Sequence, residues 1–137
     1  MNQKNETLKD KILKEMTVDH SNALEKNFEL AKRFINITPE GKVDVKISKD
    51  KLQNNDLILL YLAGKLYAKE AGTTETELTS NDELKNELGL ASGSVLWSTK
   101  NLRDNHLIKT SGGKHTILIN RLEKALNDID KKLGNSQ

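Results

Sequence analysis

The chain contains no cysteine. A disulfide framework, a thiolate metal site and a cysteine nucleophile are therefore excluded, and a reducing, cytoplasmic setting is expected. Charge of one sign is also missing. Lys and Arg number 22 against 20 Asp and Glu, a net +2. That balance excludes a polybasic tail protein and gives no nucleic-acid signal by itself. Apolar residues reach only 35% of the 137 positions, so the core is small and much of the chain is solvated helix surface. The densest apolar run, Leu57–Leu66, is broken by Tyr61, Gly64 and Lys65. A membrane span needs about 20 apolar residues, so none is expected. Met1-Asn2-Gln3-Lys4-Asn5-Glu6 has no apolar stretch behind it and does not read as a secretory leader. Proline occurs once, at Pro39, and no internal repeat is visible. The length suits one domain, or a small domain with an appendage.

What is present is periodicity. Leu8, Ile12, Leu13 and Met16 have helical spacing, and Leu24, Phe28, Ala31 and Ile35 repeat it behind Ser21, a candidate cap. Val18-Asp19-His20 is a break or kink between them. Ile35-Asn36-Ile37 and Lys42–Ile47 alternate with period two around Thr38-Pro39-Glu40-Gly41, which predicts a β-hairpin. Asn54 or Asn55 caps a helix from Asp56 to about Ala71, ended by Gly72. It is apolar nearly all round, so it is the central helix or a dimer contact. Gly64 in its middle suits a close helix approach. A short strand is expected near Leu78. Ser80 with Glu83 forms a capping-box pattern before a helix that ends at Gly89. Ser92 caps the next helix, with Val95, Thr99 and Leu102 inward. Leu107–Thr110 and His115–Ile119 flank Ser111-Gly112-Gly113-Lys114 as two strands. Asn120 with Glu123 caps a last helix whose stripe is Leu122, Ala125, Leu126, Ile129 and Leu133. That narrow stripe resembles a coiled-coil seam and predicts a homodimer, with folding back onto the chain as the other option.

The order from Asn55 is helix, short strand, helix, helix, strand, strand, helix, with Gly89-Leu90-Ala91 as the turn between the middle helices. Residues Thr79–Val95 and Leu102-Arg103-Asp104-Asn105-His106-Leu107-Ile108 resemble a winged helix-turn-helix domain of small archaeal and bacterial transcription regulators. The expected fold is mainly α with small β. Residues 1–54 form helices and a β-hairpin, and residues 55–137 form the winged domain with a C-terminal helix. The resemblance implies double-stranded DNA binding, with the helix of about 92–104 in the major groove and a wing of about 109–116 on the backbone or minor groove.

On that helix Ser92, Ser94, Trp97, Ser98, Lys100, Asn101 and Arg103 are the candidate DNA contacts, joined by Lys114 and His115 at the wing tip. Ser94 and Ser98 suit phosphates or base edges, Asn101 suits adenine, and Lys100 and Arg103 suit guanine or phosphate. From Leu96 to Arg121 five cations face the single acid Asp104, so that stretch sums to +4. The region 55–137 as a whole is neutral, eleven cations to eleven acids, which argues against strong nonspecific binding. Trp97 either packs under the wing or, with Leu96, meets a thymine methyl, a sugar or a protein partner. A winged-helix adaptor binding protein through Leu96 and Trp97 is therefore the alternative.

Other chemistry is not supported. Gly112-Gly113-Lys114-His115 lacks the earlier glycine and following hydroxyl of a phosphate-binding loop. His20, His106 and His115 have no metal-ligand spacing. Asp19-His20 reads as a helix break, and His106 as closing a turn with Asn105 in the left-handed region. No nucleophile, base and orienting group can be assembled. Neither an enzyme nor a cofactor is expected.

Overall fold

The computed structural model describes residues 6–16 and 20–134. Its architecture is mixed α and β, mostly helical, with two small antiparallel sheets. Helix α1 (Leu8–Glu15) starts at a Thr7–Asp10 capping box and buries none of its residues. Leu8, Leu13 and Met16 stay exposed. Val18 and Asp19, in the expected break, lie outside the described residues.

The single helix expected from Ser21 to Ile35 is two. Helix α2 (His20–Lys26) and α3 (Phe28–Phe34) part at Asn27, whose Nδ2 donates to the Ala23 carbonyl at 2.9 Å. The Ala23 carbonyl also takes the Asn27 N–H at 3.2 Å, and side-chain bonding of this kind to the preceding turn bends a helix. Ser21 is inside α2, not its cap, and donates to Glu70 at 3.1 Å. The break turns Phe28 to the surface, and Ile35 opens β1 (Ile35–Ile37) rather than ending a helix. Strand β1 pairs with β2 (Val43–Val45) as a hairpin. The Gly41 N–H donates to the Thr38 carbonyl at 3.0 Å, closing the expected turn with Gly41 at φ +85°.

Helix α4 (Asn54–Ala71) is buried without interruption from Asp56 to Leu66. Its cap is Gln53, one residue earlier than expected, in a reciprocal pair with Asp56. The hairpin, α2 and α3 pack on α4 from one side, and residues of 55–137 pack on it from the other. The apolar core thus runs unbroken across the boundary expected at 54/55, from Leu24, Phe34 and Val43 to Leu84, Leu102 and Ile129. Gly64 does allow a close approach, but by a strand. A Cβ there would stand 2.5 Å from Val43 Cγ1 and 2.7 Å from Cγ2.

Beyond α4, β3 (Thr79–Ser80) leads into α5 (Asn81–Leu88), capped by Ser80 and ended by Gly89 at φ +67°. After Leu90 and Ala91 comes α6 (Ser92–Asp104), then β4 (Ile108–Ser111), β5 (Lys114–Ile117) and α7 (Leu122–Lys132). The second sheet has the order β3-β5-β4. Its β4–β5 turn is two residues, Gly112 and Gly113, both at positive φ, the geometry that two-residue hairpins favour. Two local expectations shift. His106, not Asn105, takes the left-handed conformation, at φ +60°. No side chain caps α7; a 3-10 turn over Ile119–Arg121 leads into it instead. The α7 stripe is covered within the chain, since Leu122, Ala125, Leu126 and Ile129 are all buried. It is not a free seam for a second copy.

Three buried polar groups of α4, Tyr61, Lys65 and Asp56, set the neighbouring helices. Glu83 Oε2 accepts from the Tyr61 hydroxyl at 2.5 Å and from Lys65 Nζ at 3.0 Å. The expected capping box is therefore only half made. Ser80 accepts from the Glu83 N–H, but the Glu83 carboxylate turns inward to α4. Burial alone would raise the pKa of Glu83, yet the Tyr61 and Lys65 contacts hold it below the usual carboxylate value. At the other end, Asp56 takes Lys132 Nζ on both oxygens at 2.8 and 2.9 Å, tying α7 to α4.

Two outcomes are expected in urea unfolding. Glu83→Ala leaves Lys65 buried and unpaired and costs about 3 kcal/mol or more. Gly64→Ala gains about 1 kcal/mol of helix propensity, but its overlap with Val43 makes the net change a loss of about 1–2 kcal/mol. In the Gly64→Ala background Val43→Ala should cost less than it does alone, because it removes the overlap, so the double-mutant cycle reads a coupling between the two sites.

Candidate nucleic-acid interface

Helix α6 is anchored by Val95, Ser98, Thr99 and Leu102, the i, i+3, i+4, i+7 stripe facing the core. That rotation decides which candidates are available. Its opposite face presents Ser92, Gly93, Leu96, Trp97, Lys100 and Asp104, with Ser94, Asn101 and Arg103 half-buried at the edges. The helix begins at Ser92, with Ala91 in the cap position, so Ser92 is not the cap.

Ser98 is a correction. It is 1% exposed, one turn from Val95 on the inward stripe, and borders only the cleft beside Trp97 rather than the open face of the helix. Asn101 is a second. Its Oδ1 accepts from Asn55 Nδ2 of α4 at 2.8 Å, and Asn105 Nδ2 donates to its backbone carbonyl at 2.9 Å. Reading adenine takes both ends of the amide. The Asn101 amide is instead occupied in holding α6 to α4.

His115 is a third. It is not at the tip of the β4–β5 turn but 2% exposed, in the middle strand of its sheet. Its Nδ1 lies 2.7 Å from Thr110 Oγ1 and its Nε2 lies 2.7 Å from Asn81 Oδ1. The Asn81 oxygen can only accept, so Nε2 carries the proton and Thr110 donates to Nδ1. Arg103 Nη1 donates in turn to Thr110 Oγ1 at 3.3 Å. One chain of bonds, Arg103 to Thr110 to His115 to Asn81, thus joins α6, both strands of the hairpin and the start of α5. Burial first, and the Arg103 charge second, lower the His115 pKa.

Lys114 does sit beside the turn and is exposed, as are Lys109 and Lys100. Lys100 pairs with Asp104 at 2.8 Å on open surface. Such a pair is worth at most about 1 kcal/mol and yields to a stronger anion. Trp97 does not pack under the hairpin. It is 65% exposed and Leu96 58%. Trp97 instead walls a cleft of about 520 Å³ with Gln53, Asn54 and Ser94.

Asn55, Asn81, Asn105 and Thr110 were missed in the sequence. Only His115 carried a readable signal: Ile117 points inward, and the residue two before it on a strand shares that face. Among the described residues no cluster of metal-ligating side chains occurs, and no helix is long and apolar enough to cross a membrane. No family model, curated protein or solved structure matches this chain.

The His115 environment predicts an acid-sensitive fold. The folded state disfavours the proton that the unfolded state accepts near pH 6.5. The stabilisation is therefore full above that pH and lost as pH falls below it. The urea midpoint should drop between about pH 7 and pH 5, and His115→Gln should flatten that drop.

Proposed function

We propose that residues 55–137 form a winged helix-turn-helix domain that binds double-stranded DNA sequence-specifically, as a transcription regulator. The observation that carries this reading is the outward face of α6. Helix α6 packs beside α5 and β4, with Lys100 exposed on that face, Arg103 half-buried at its edge, and Lys109 and Lys114 exposed on the hairpin. The order helix, short strand, helix, helix, two strands and helix supports this reading. In this reading Ser92, Ser94 and Trp97 enter the major groove, Lys100 and Arg103 meet bases or phosphates, and the hairpin lysines meet the backbone. Recruiting Lys100 requires only that an exposed ion pair open. A homodimer on a two-fold site would use surface other than α7, and the exposed Leu8 and Leu13 of α1 with Met16 just after it offer it.

The reading is tested by titrating duplex DNA and following Trp97, the single tryptophan, at low and moderate salt. A saturable change that weakens steeply with salt is expected. Lys100→Ala with Arg103→Ala should abolish binding without unfolding the protein; undiminished binding would remove α6 from the assignment.

The exposure of Leu96 and Trp97 favours a second reading, an adaptor that binds a protein partner through this pair. Under it, Trp97→Ala empties a pull-down that the Lys100 and Arg103 substitutions leave intact. An unchanged pull-down with Trp97→Ala rules it out.

A further inference from the structure

We propose that His115 works as a proton-operated latch on Arg103: the neutral ring keeps the guanidinium on the hairpin through Thr110, and the protonated ring releases it to the outer side of α6. The latch deepens the DNA reading, because it regulates a cation of that same face, and only its effect on DNA affinity rests on that reading.

Three bonds make the latch, and they run in one direction. Arg103 Nη1 donates to Thr110 Oγ1 at 3.3 Å, Thr110 donates to His115 Nδ1 at 2.7 Å, and Nε2–H donates to Asn81 Oδ1 at 2.7 Å. In this state the hydroxyl proton points at a bare ring nitrogen and the oxygen is open to Arg103. A proton on Nδ1 turns that nitrogen into a donor. The hydroxyl must then accept from the ring, and two cations donate to one oxygen. Nε2–H keeps Asn81 in either state, so the ring stays where it is. Like charges this close, one of them buried, repel strongly. Burial decides which one leaves. His115 is 2% exposed in the middle strand of its sheet. Arg103 is half-buried at the edge of its helix, and its bond to Thr110 lies on the surface. Arg103 therefore moves off the hairpin into water. The acid next to it, Asp104, is already paired with Lys100.

The other charged groups around the ring give the added proton no counter-ion. On α4, Tyr61 and Lys65 are bound to Glu83 of α5. Lys109 and Lys114 alternate with Thr110 and His115 along the hairpin strands and so stand on the opposite sheet face. Strand β3 brings Thr79 and Ser80, and Asp82 of α5 is exposed. Burial and the Arg103 charge lower the His115 pKa, so the latch turns on the acid side of the ordinary histidine range.

The latch is read by following the side-chain nitrogen resonances of His115 and Arg103 from about pH 8 to pH 5 at fixed salt. We expect the Arg103 signals to move with the titration of the ring while the core keeps its native signals. Arg103→Gln should raise the His115 pKa. Thr110→Val should leave Arg103 released at every pH, and His115→Gln should make its signals indifferent to pH. Duplex DNA affinity should tighten severalfold as pH falls through the titration of the ring, and His115→Gln should remove that gain. The proposal is overturned if Arg103 stays still while His115 titrates, if Arg103→Gln leaves the His115 pKa unchanged, or if the ring gains its proton only as the whole fold is lost. Movement of Arg103 without any binding of DNA would support the latch and remove the DNA reading.

Discussion

Everything in this molecule is arranged around the burial of one helix. With few aromatic side chains, the chain cannot build a core from bulky residues spread over many elements. It concentrates leucine on α4 and surrounds it. A helix enclosed on all sides also encloses its polar groups, and those must be paired. Tyr61 and Lys65 converge on Glu83, and Asp56 on Lys132. These pairs specify where α5 and α7 sit along the central helix. Apolar contacts alone would tolerate sliding; a carboxylate with two fixed donors does not.

The exposed helix is held by lighter means. α6 shares the core through a stripe of mostly small residues and is pinned at its end by the amides of Asn55, Asn101 and Asn105. The hairpin is coupled to it through Arg103, Thr110 and His115. Helix and hairpin therefore present their cations as one surface whose relative position depends on a neutral histidine. The same arrangement explains why a region of zero net charge can carry a locally cationic face.

Much of the fold was legible because it rests on local rules. Gly41, Gly72 and Gly89 end or turn elements where only positive φ continues the chain, and each falls where the periodicity placed it. Four of the errors share one cause. Ser21, Ser98, Asn101 and His115 are polar, so a one-dimensional reading assigns them to caps or to solvent. Ser21, Asn101 and His115 are instead bonded to residues far away in sequence, and Ser98 is buried on the inward stripe of α6. The helix parts at Asn27 although its apolar spacing runs on, because that pattern records side-chain burial and not a polar side chain bonded to the preceding turn.

The sequence by itself determined the order of elements from α4 onward, the all-round burial of α4 and the two tight turns, since propensity, period and turn chemistry act over a few residues. Only the tertiary structure decided the rotation of α6, which buries Ser98 and exposes Trp97, and the partners of Glu83, Asn101 and His115. Those outcomes depend on packing and hydrogen bonds between segments tens of residues apart, and no local pattern encodes which donor will meet which acceptor.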